Sequence, residues 1–215
     1  MNYTYALFDL DGTILDTNEL ILSSFEHALN IHAPGQYARE DILPHMGRAL
    51  VDQMEFFAPG RGSEVIPTYR KFNIEKHDEL VVEFPHSQAV LRQLKEAGVK
   101  IGIVTSKIRL TAEMGLKLTG MHDLVDAIIT IEDVEKHKPD PEPVQRALAL
   151  LGGTPSQAIM VGDSPYDIQA GQAAGTATVG VKWSLRGEAG LAPFGPDHLI
   201  GDMRELLTII LGDEA

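Results

Sequence analysis

The chain has 215 residues, 44% of them hydrophobic, which is enough for one sizeable core and a smaller second unit. It contains no cysteine, so disulfides, thiolate metal sites and cysteine nucleophiles are excluded. Its formal net charge of -13 disfavours nucleic acid and anionic membrane surfaces as partners. The sequence begins without a basic segment and apolar stretch, and no later run approaches the ~20 apolar residues of a membrane span. We therefore expect a cytoplasmic location.

Short apolar runs alternate with stretches of helical periodicity along most of the chain. The runs predict strands at residues 5–8, 99–104, 127–129, 158–161 and 177–181. Apolar residues at helical spacing predict helices at residues 89–97, 110–118, 144–151 and 168–174. This order predicts the α/β class, with a doubly wound parallel sheet, helices on both faces and ligands bound beyond the carboxyl ends of the strands.

The interval at residues 16–83 breaks this alternation, because it is polar and holds no convincing buried strand. Its periodicity predicts helices at about 19–30, 48–57 and 63–82, separated by turn signals at Pro34-Gly35 and Pro59-Gly60. We expect residues 16–83 to form a small all-α cap domain inserted into a core domain of residues 1–15 and 84–215. A cap with hinges near residues 16–18 and 83–86 can close over a substrate and exclude water.

Two aspartates, Asp9 and Asp11, stand where the first predicted strand ends. Side chains on extended backbone alternate sides, so both carboxylates can enter one cavity while Leu10 packs the other way. Mg²⁺ relieves their repulsion and binds carboxylate, carbonyl, water and phosphate oxygens. The pair predicts a phosphate-handling enzyme in which Asp9 attacks phosphorus and Asp11 acts as general acid and base. The alternative is an ordinary Asp-Gly turn.

Thr105, Ser106 and Lys107 follow the strand predicted at residues 99–104. Hydroxyl groups and free amides at the start of the next helix can hold phosphate oxygens, and Lys107 can add a cation at the mouth of the site. The alternative for Thr105 and Ser106 is helix capping, which is the commoner role of hydroxyl residues between a strand and a helix.

Lys138 lies just ahead of another predicted helix. Asp140 is a good N-cap residue and Pro141 fits the first helical position, so the lysine has a fixed place before the helix. A cation there can neutralise phosphoryl oxygens and crowded carboxylates. The alternative is a solvated surface lysine.

Asp163 and Asp167 follow the strand predicted at residues 158–161. Ser164 can cap the next helix and Pro165 can open it, which leaves Asp163 as a free carboxylate at the strand end and a candidate metal ligand. Asp167 lies one helical turn further and can support the site by holding other side chains or through water. The alternative is that both acids serve as partners of the helix dipole.

Taken together, these residues resemble the ordered motifs of the haloacid dehalogenase superfamily of phosphatases: Asp9-Leu10-Asp11-Gly12-Thr13, Thr105, Lys138-Pro139 and Gly162-Asp163-Ser164-Pro165-Tyr166-Asp167. The resemblance implies a Rossmann-like core with Asp9 as nucleophile and Asp11 as general acid and base. It implies that Thr105 and Lys138 stabilise phosphate. It also implies Mg²⁺ bound by Asp9, the Asp11 carbonyl and Asp163, with Asp167 in support.

The insertion point resembles the subgroup with a small helical cap after the first motif, which includes phosphoglycolate phosphatases, β-phosphoglucomutase and pyrophosphatases. Longer sequence segments resemble the inorganic pyrophosphatases of Gram-positive bacteria, at residues 34–37, 69–73, 77–80, 113–117 and 138–145. This resemblance implies Mg²⁺-dependent hydrolysis of inorganic pyrophosphate. The alternatives are a phosphatase for phosphoglycolate or another small phosphomonoester, a β-phosphoglucomutase-like phosphotransferase, and a non-catalytic phosphate-binding module.

Pyrophosphate is a small, densely charged anion, so a cap that selects it should present cations and little apolar surface. Arg48 is the leading candidate, because a guanidinium can grip the distal phosphate through two hydrogen bonds. Lys107 is the candidate for a second cation. The alternative for Arg48 is an arginine whose stem lies along the cap surface with its charge in water.

Overall fold

The computed structural model describes residues 1–212. Its strands form one parallel sheet and one short antiparallel pair. In chain order they are β1 (Tyr5–Phe8), β2 (Leu15–Asp16), β3 (Val82–Glu83), β4 (Lys100–Val104), β5 (Ala127–Ile129), β6 (Ala158–Gly162), β7 (Ala177–Val181) and β8 (His198–Ile200).

The helices alternate with the later strands, as the sequence predicts. In chain order they are α1 (Asn18–His32), α2 (Arg39–Ile42), α3 (Leu50–Phe57), α4 (Gly62–Leu80), α5 (Ser87–Glu96), α6 (Arg109–Leu118), α7 (Glu142–Leu151), α8 (Pro165–Ala174), α9 (Gly187–Leu191) and α10 (Glu205–Leu211). Short 3₁₀ turns occupy Leu43–His45, His122–Leu124, Ile131–Asp133, Pro155–Gln157 and Ala192–Phe194.

Six strands form one parallel sheet in the order β5-β4-β1-β6-β7-β8. The first strand, β1, lies at the centre and pairs in parallel with both β4 and β6. β1, β4 and β6 are short and almost wholly buried, as expected for strands covered by helices on both faces. The predicted doubly wound α/β class is confirmed.

The two faces of the sheet bury separate apolar clusters. Ala6 and Phe8 of β1 belong to one cluster, and Leu7 between them belongs to the other, as the alternation of strand side chains requires. Helices α5, α6 and α10 contribute to the first cluster, and α7 and α8 contribute to the second. This packing fixes the strand ends at which the candidate site lies.

The helices α1 to α4 bury a third apolar cluster of their own. Phe25 lies at its centre, with the ring of Tyr69 at 4.9 Å and that of Phe57 at 5.9 Å in edge-to-face geometry. A separate cluster is what a separate helical unit requires, although the boundaries at residues 16 and 83 stay a prediction. The short helix α2 is absent from the sequence prediction, since a single helical turn leaves no periodic pattern to detect.

A two-stranded antiparallel ribbon, β2 with β3, closes the base of this helical unit. Leu15 is opposite Glu83, and Asp16 is opposite Val82. The sequence predicts no strand here, because each strand is two residues long and both residues of β3 are exposed. The ribbon lies where hinges are expected, near residues 16–18 and 83–86.

Within residues 1–212, the helices are all too short or too polar to cross a membrane.

Candidate active site

Asp9 continues the central strand β1 by one residue, and its amide donates a hydrogen bond to the Val161 carbonyl at 2.9 Å. Its neighbour Leu10 is fully buried, whereas Asp11 is partly exposed. Gly12 then turns the chain with φ of +79°, and a Cβ on it would lie 2.4 Å from Asp163 Oδ2. Glycine is therefore required at this position both by backbone conformation and by the close approach of Asp163.

Lys138 brings two distant acids of the site together. Its Nζ donates hydrogen bonds to Asp9 Oδ1 at 2.7 Å, to Asp167 Oδ1 at 2.6 Å and to the Val104 carbonyl at 3.0 Å. The lysine is 9% exposed, so the two ion pairs are shielded from water. The structure thus joins the ends of β1 and β4 with the start of α8 through one ammonium group.

Asp163 completes an acidic cluster with Asp9 and Asp167. One carboxylate oxygen from each residue lies within 4.8 Å of the others. Burial raises the pKa of Asp9 to about 7 against the attraction of Lys138, and nearby carboxylates add to the rise. Burial and the charge of Asp9 likewise raise the pKa of Asp163. Fully ionised, the three carboxylates would carry more negative charge than Lys138 balances.

The acidic cluster fits a hard divalent cation. Its donors are carboxylate oxygens, which Mg²⁺ prefers, and an added positive charge would relieve the repulsion that raises the pKa values of Asp9 and Asp163. Asp167 is already engaged, because Lys138 binds one of its oxygens and Ser164 binds the other. Asp9 and Asp163 are therefore the side chains best placed to hold a metal.

Burial alone would lower the pKa of Lys138, but the carboxylates of Asp167 and Asp9 outweigh burial and raise that pKa above its ordinary value. Lys138 is therefore a fixed positive charge. The nearby helix begins one residue later than predicted, since α7 starts at Glu142 with Pro141 as its N-cap. Asp140 still caps the turn, because its Oδ1 accepts the Glu142 amide at 3.0 Å.

The residues after β4 lie at the same edge of the sheet. Thr105 is buried, its amide donates to the Ile129 carbonyl at 2.9 Å, and its Oγ1 accepts the Lys107 amide at 3.2 Å. The Lys107 Nζ donates to Asp11 Oδ1 at 2.6 Å. Lys107 therefore pairs with the predicted general acid. Ser106 lines the cavity beside these two residues.

Helix α8 begins with the capping residues that the sequence predicts. Ser164 is the N-cap, Pro165 is the first helical residue, and Asp167 closes a capping box with Ser164. The Asp167 Oδ2 accepts the Ser164 amide at 3.0 Å and the Ser164 hydroxyl at 2.6 Å. Asp167 thus orients Lys138 with one oxygen and anchors the helix start with the other.

Arg48 reaches the site from the helical unit, two residues before α3 begins. Its Nε donates a hydrogen bond to the hydroxyl of Tyr166 at 2.6 Å, and its guanidinium carbon lies 5.8 Å from the centre of that ring. Tyr166 belongs to α8, so this contact joins the helical unit to the helix that follows Asp163. Sequence reasoning missed the role of Tyr166, which no spacing rule connects with Arg48.

The predicted site residues line one cavity of about 150 Å³ between the helical unit and the sheet edge: Asp9, Asp11, Arg48, Thr105, Ser106, Lys107, Lys138, Asp163 and Asp167. Two further arginines that sequence reasoning missed also line it, Arg70 of α4 and Arg186 after β7. Tyr69, Arg70 and Asn73 lie on neighbouring positions of α4, a helical spacing that could have indicated one cavity-facing side.

The cavity also has an apolar wall, which differs from the expectation of little apolar surface. The wall is formed by side chains from both parts of the molecule: Ile21, Leu43, Leu50, Val51, Ile74 and Ile108. The sequence could not show this wall, because α1, α3, α4 and the β4–α6 connection meet there only in the folded chain. The cavity therefore has carboxylates and two lysines at the sheet edge, and a mainly apolar wall with Arg48 and Arg70 toward the helices.

This arrangement of an aspartate at a strand end, a buried lysine and an acidic cluster accords with the family to which the sequence belongs. Residues 6–181 match the family of haloacid dehalogenase-like hydrolases. The chain is a member of that family and a hydrolase.

Among individual relatives, the chain is 49% identical to Pyrophosphatase PpaX of Bacillus cereus (strain B4264), covering 98% of this chain and 97% of the relative. It is also 49% identical to Pyrophosphatase PpaX of Bacillus velezensis, covering 96% and 95%. A solved haloacid dehalogenase-like hydrolase from Bacteroides fragilis is similar, with a TM-score of 0.89, 27% identity, and coverage of 95% of this chain and 99% of that one.

Proposed function

We propose that this chain hydrolyses inorganic pyrophosphate with Mg²⁺, through an aspartyl-phosphate formed on Asp9. The pairing of Asp9 with buried Lys138 inside the acidic cluster carries the chemical part of the proposal. The substrate part is supported by near full-length relatives, 49% identical, that are named pyrophosphatases.

Asp9 is the proposed nucleophile. Its carboxylate oxygen forms a bond to one phosphorus as the bridging P–O bond breaks, and the pair of electrons leaves with the other phosphate. Lys138 holds Asp9 in place and neutralises charge that develops on the transferring group. Most of the rate acceleration then comes from positioning the reacting groups and neutralising their charge.

Asp11 is the proposed general acid and base. It donates a proton to the departing phosphate, and its carboxylate then takes a proton from the water that attacks the aspartyl-phosphate. That second displacement breaks the bond between phosphorus and the Asp9 oxygen and releases the second phosphate. Lys107, 2.6 Å from Asp11 Oδ1, orients that carboxylate at the edge of the cavity.

We propose that Mg²⁺ is held by the carboxylates of Asp9 and Asp163 and by the Asp11 carbonyl. When bound, the ion supplies neutralising charge for the phosphoryl oxygens. Asp167 keeps its hydrogen bonds with Lys138 and Ser164, so it positions the site without binding the metal.

Thr105, Ser106 and Lys107 are the proposed contacts of the transferring phosphate, and Arg48 is the proposed contact of the distal one. These groups line one cavity, the first three from the core and Arg48 from the helical unit. We further propose that residues 16–83 act as a cap over this cavity and that the enzyme works in the cytoplasm on a freely diffusing anion.

The apolar wall favours a second candidate, which is hydrolysis of a small phosphomonoester such as phosphoglycolate. A carbon-bearing leaving group would contact Ile21, Leu50 and Ile108, whereas a second phosphate gains nothing from them. β-Phosphoglucomutase-like transfer and non-catalytic phosphate binding have no comparable observation in their favour.

The test is phosphate release from pyrophosphate and from a panel of phosphomonoesters under saturating Mg²⁺, for the wild type and for Asp9→Asn. We expect wild-type turnover to be highest on pyrophosphate. Asp9→Asn should lose turnover by about 10⁴-fold or more while keeping its circular dichroism spectrum, because an amide oxygen is a poor nucleophile.

Asp52→Asn, at an exposed position of α3, is the matched control and should turn over normally. Ordinary turnover by Asp9→Asn would remove Asp9 from the mechanism. Higher kcat/KM on a monoester than on pyrophosphate would transfer the proposal to the second candidate.

A further inference from the structure

The segment at residues 44–48 of the helical unit lies directly on the core. Arg186, in the connection after β7, donates from Nη2 to the carbonyls of Pro44 at 3.1 Å and Met46 at 2.9 Å. Arg48, at the other end of the segment, donates to Tyr166 at 2.6 Å. Two core side chains thus hold both ends of the segment that carries the candidate distal-phosphate ligand.

The middle of the segment makes an equally close approach. Gly47 has φ of +89°, and a Cβ on it would lie 3.3 Å from Ser164 Cβ and 3.7 Å from the Tyr166 ring. Only glycine combines that backbone conformation with such proximity at low cost. The 44–48 segment therefore sits on the first turn of α8.

The core groups that hold the segment are themselves tied to the backbone of Asp163. The Ser184 hydroxyl donates to the Asp163 carbonyl at 2.6 Å, and the Arg186 amide donates to the same hydroxyl at 3.1 Å. Tyr166 lies three residues after Asp163 in the same strand-to-helix connection. The contacts that hold Arg48 are therefore connected to the loop that carries the proposed metal ligand, Asp163.

Arg48 keeps donors free for a ligand. Within residues 1–212 its terminal guanidinium nitrogens make no hydrogen bond or ion pair, and only Nε is engaged, with Tyr166. A free arginine side chain has many conformers, and fixing one of them before binding lowers the entropy cost of contacting an anion. The guanidinium carbon lies 5.8 Å from the centre of the Tyr166 ring, beyond the hydroxyl, so the hydroxyl is the group that restrains this side chain.

We propose that Tyr166 is a positioning residue for the distal phosphate: its hydroxyl holds Arg48 so that the terminal nitrogens of Arg48 bind the phosphate that is not transferred. This inference rests on the proposed function, because it concerns a substrate with two phosphates. Tyr166 itself acts on the substrate through Arg48.

The test compares kcat and KM for pyrophosphate and for p-nitrophenyl phosphate, which has no second phosphate. Tyr166→Phe removes the hydroxyl and keeps the ring. We expect KM for pyrophosphate to rise about tenfold with kcat changed less than twofold, the size of one lost hydrogen bond to a charged group. The ratio of kcat/KM values, pyrophosphate over p-nitrophenyl phosphate, should fall about tenfold.

Two further variants separate positioning from general damage. In an Arg48→Lys background the Nε donor is gone, so adding Tyr166→Phe should lower the ratio by less than twofold more. Tyr5→Phe removes a hydroxyl that bonds the Gly152 carbonyl at 3.1 Å at the opposite end of β1, and it should leave the ratio at the wild-type value.

An unchanged ratio in Tyr166→Phe, with wild-type pyrophosphate turnover intact, would overturn the role of Tyr166 and leave the proposed function standing. Equal losses on both substrates would also overturn it, since they would indicate damage to the shared phosphoryl site. No pyrophosphate turnover by the wild type would end the proposed function and this inference together.

Discussion

At the level of single residues, Lys138 is the group on which the charge balance of the site depends. It is buried among Asp9 and Asp167, and its pKa is raised by them in spite of its burial. A buried ion pair broken by removal of one partner leaves an uncompensated charge, which is far more costly than loss of an exposed pair. We therefore expect the lysine to matter for stability as well as for the proposed chemistry.

Lys138→Met should lower the free energy of unfolding by about 3 kcal/mol in EDTA, because two buried carboxylates lose their cation. Added Mg²⁺ should restore part of that loss, since a metal on Asp9 and Asp163 stabilises the folded state by binding it. Urea denaturation with EDTA and with saturating Mg²⁺ measures both effects, and hydrolysis should be lost in either condition.

Lys136→Met is the matched control for this prediction. The Lys136 side chain is 72% exposed and its Nζ lies 3.7 Å from Asp140, so the change should alter unfolding by less than about 0.5 kcal/mol. Equal stability of Lys138→Met and the wild type in EDTA would show that the two ion pairs contribute nothing net. Failure of Mg²⁺ to stabilise either protein would argue against a metal site.

The sequence predicted which residues stand at the strand ends, but it did not predict which of them pair. Asp9, Lys138 and Asp163 were each placed by a neighbouring strand or helix start, and parallel strands bring such ends to one edge. The direct bond between Lys138 and Asp167 depends on side-chain conformers across the edge. The contact of Arg48 with Tyr166 likewise depends on how the helical unit lies on the core.

At the level of elements, the junction of β6 with α8 is the tightest part of the site. Gly162 ends the strand, and a Cβ on it would lie 2.2 Å from Asp167 Cβ and 2.4 Å from Asp167 Cγ. The helix can therefore fold back over the strand end only because this residue has no side chain. That return is what brings Asp167 to Lys138.

Gly162→Ala should lower the free energy of unfolding by about 1–3 kcal/mol, as expected when a methyl group is forced into a packed site. It should also lower kcat/KM about a hundredfold, because Asp167 must move and Lys138 loses its orientation. Thermal unfolding and phosphate release measure the two effects on the same preparation.

Gly201→Ala is the control, since its nearest neighbour would be Glu205 Oε1 at an ordinary 3.7 Å. It should be close to wild type in both measurements. Full activity of Gly162→Ala would mean that the junction relaxes without moving Asp167, and the positioning role of this glycine would then be wrong.

Strands and helices were predictable from the sequence where their burial requires a run or a periodic pattern of apolar residues. The strands of the sheet centre are continuous apolar runs, and the helices α5 to α8 carry apolar residues at helical spacing. The edge strand β8, three residues with partial exposure, gives no comparable run. The ribbon strands β2 and β3 are held by pairing with each other, which is a contact between distant segments that neither local sequence contains.

At the level of the whole molecule, an acidic chain must attract an anionic substrate by local charge. The net charge is -13, yet five basic side chains from both parts of the molecule line the cavity within residues 1–212: Arg48, Arg70, Lys107, Lys138 and Arg186. Charges separated by more than about 10 Å are screened at ordinary ionic strength, so the distant surface acids matter less than the balance of these cations against the carboxylates of the cavity, Asp9, Asp11, Asp163 and Asp167. The basic groups that line the cavity come together only where the helical unit and the core meet.

If residues 16–83 act as a cap, we expect the same meeting point to open for substrate entry, because the 44–48 segment lies on Ser164 and Tyr166 beside the proposed metal loop. Asp9 is 6% exposed in this arrangement. The chain has no cysteine, so an engineered pair reports on this motion without interference from other thiols. Positions 47 and 164 are near enough for a disulfide after a small shift, since their Cβ atoms would be 3.3 Å apart and disulfides have about 3.5–4.5 Å.

Gly47→Cys combined with Ser164→Cys should turn over substrate when reduced and lose most of that turnover when oxidised, because the bond fixes the segment over the cavity. A cysteine at the positive φ of residue 47 is strained by about 1–2 kcal/mol, so the comparison is made within one variant, oxidised against reduced. Phosphate release before and after dithiothreitol measures the change, and each single cysteine variant should be indifferent to the reductant. Undiminished turnover by the fully oxidised pair would mean that substrate reaches Asp9 while the 44–48 segment stays in place, and closure of residues 16–83 would have no part in the catalytic cycle.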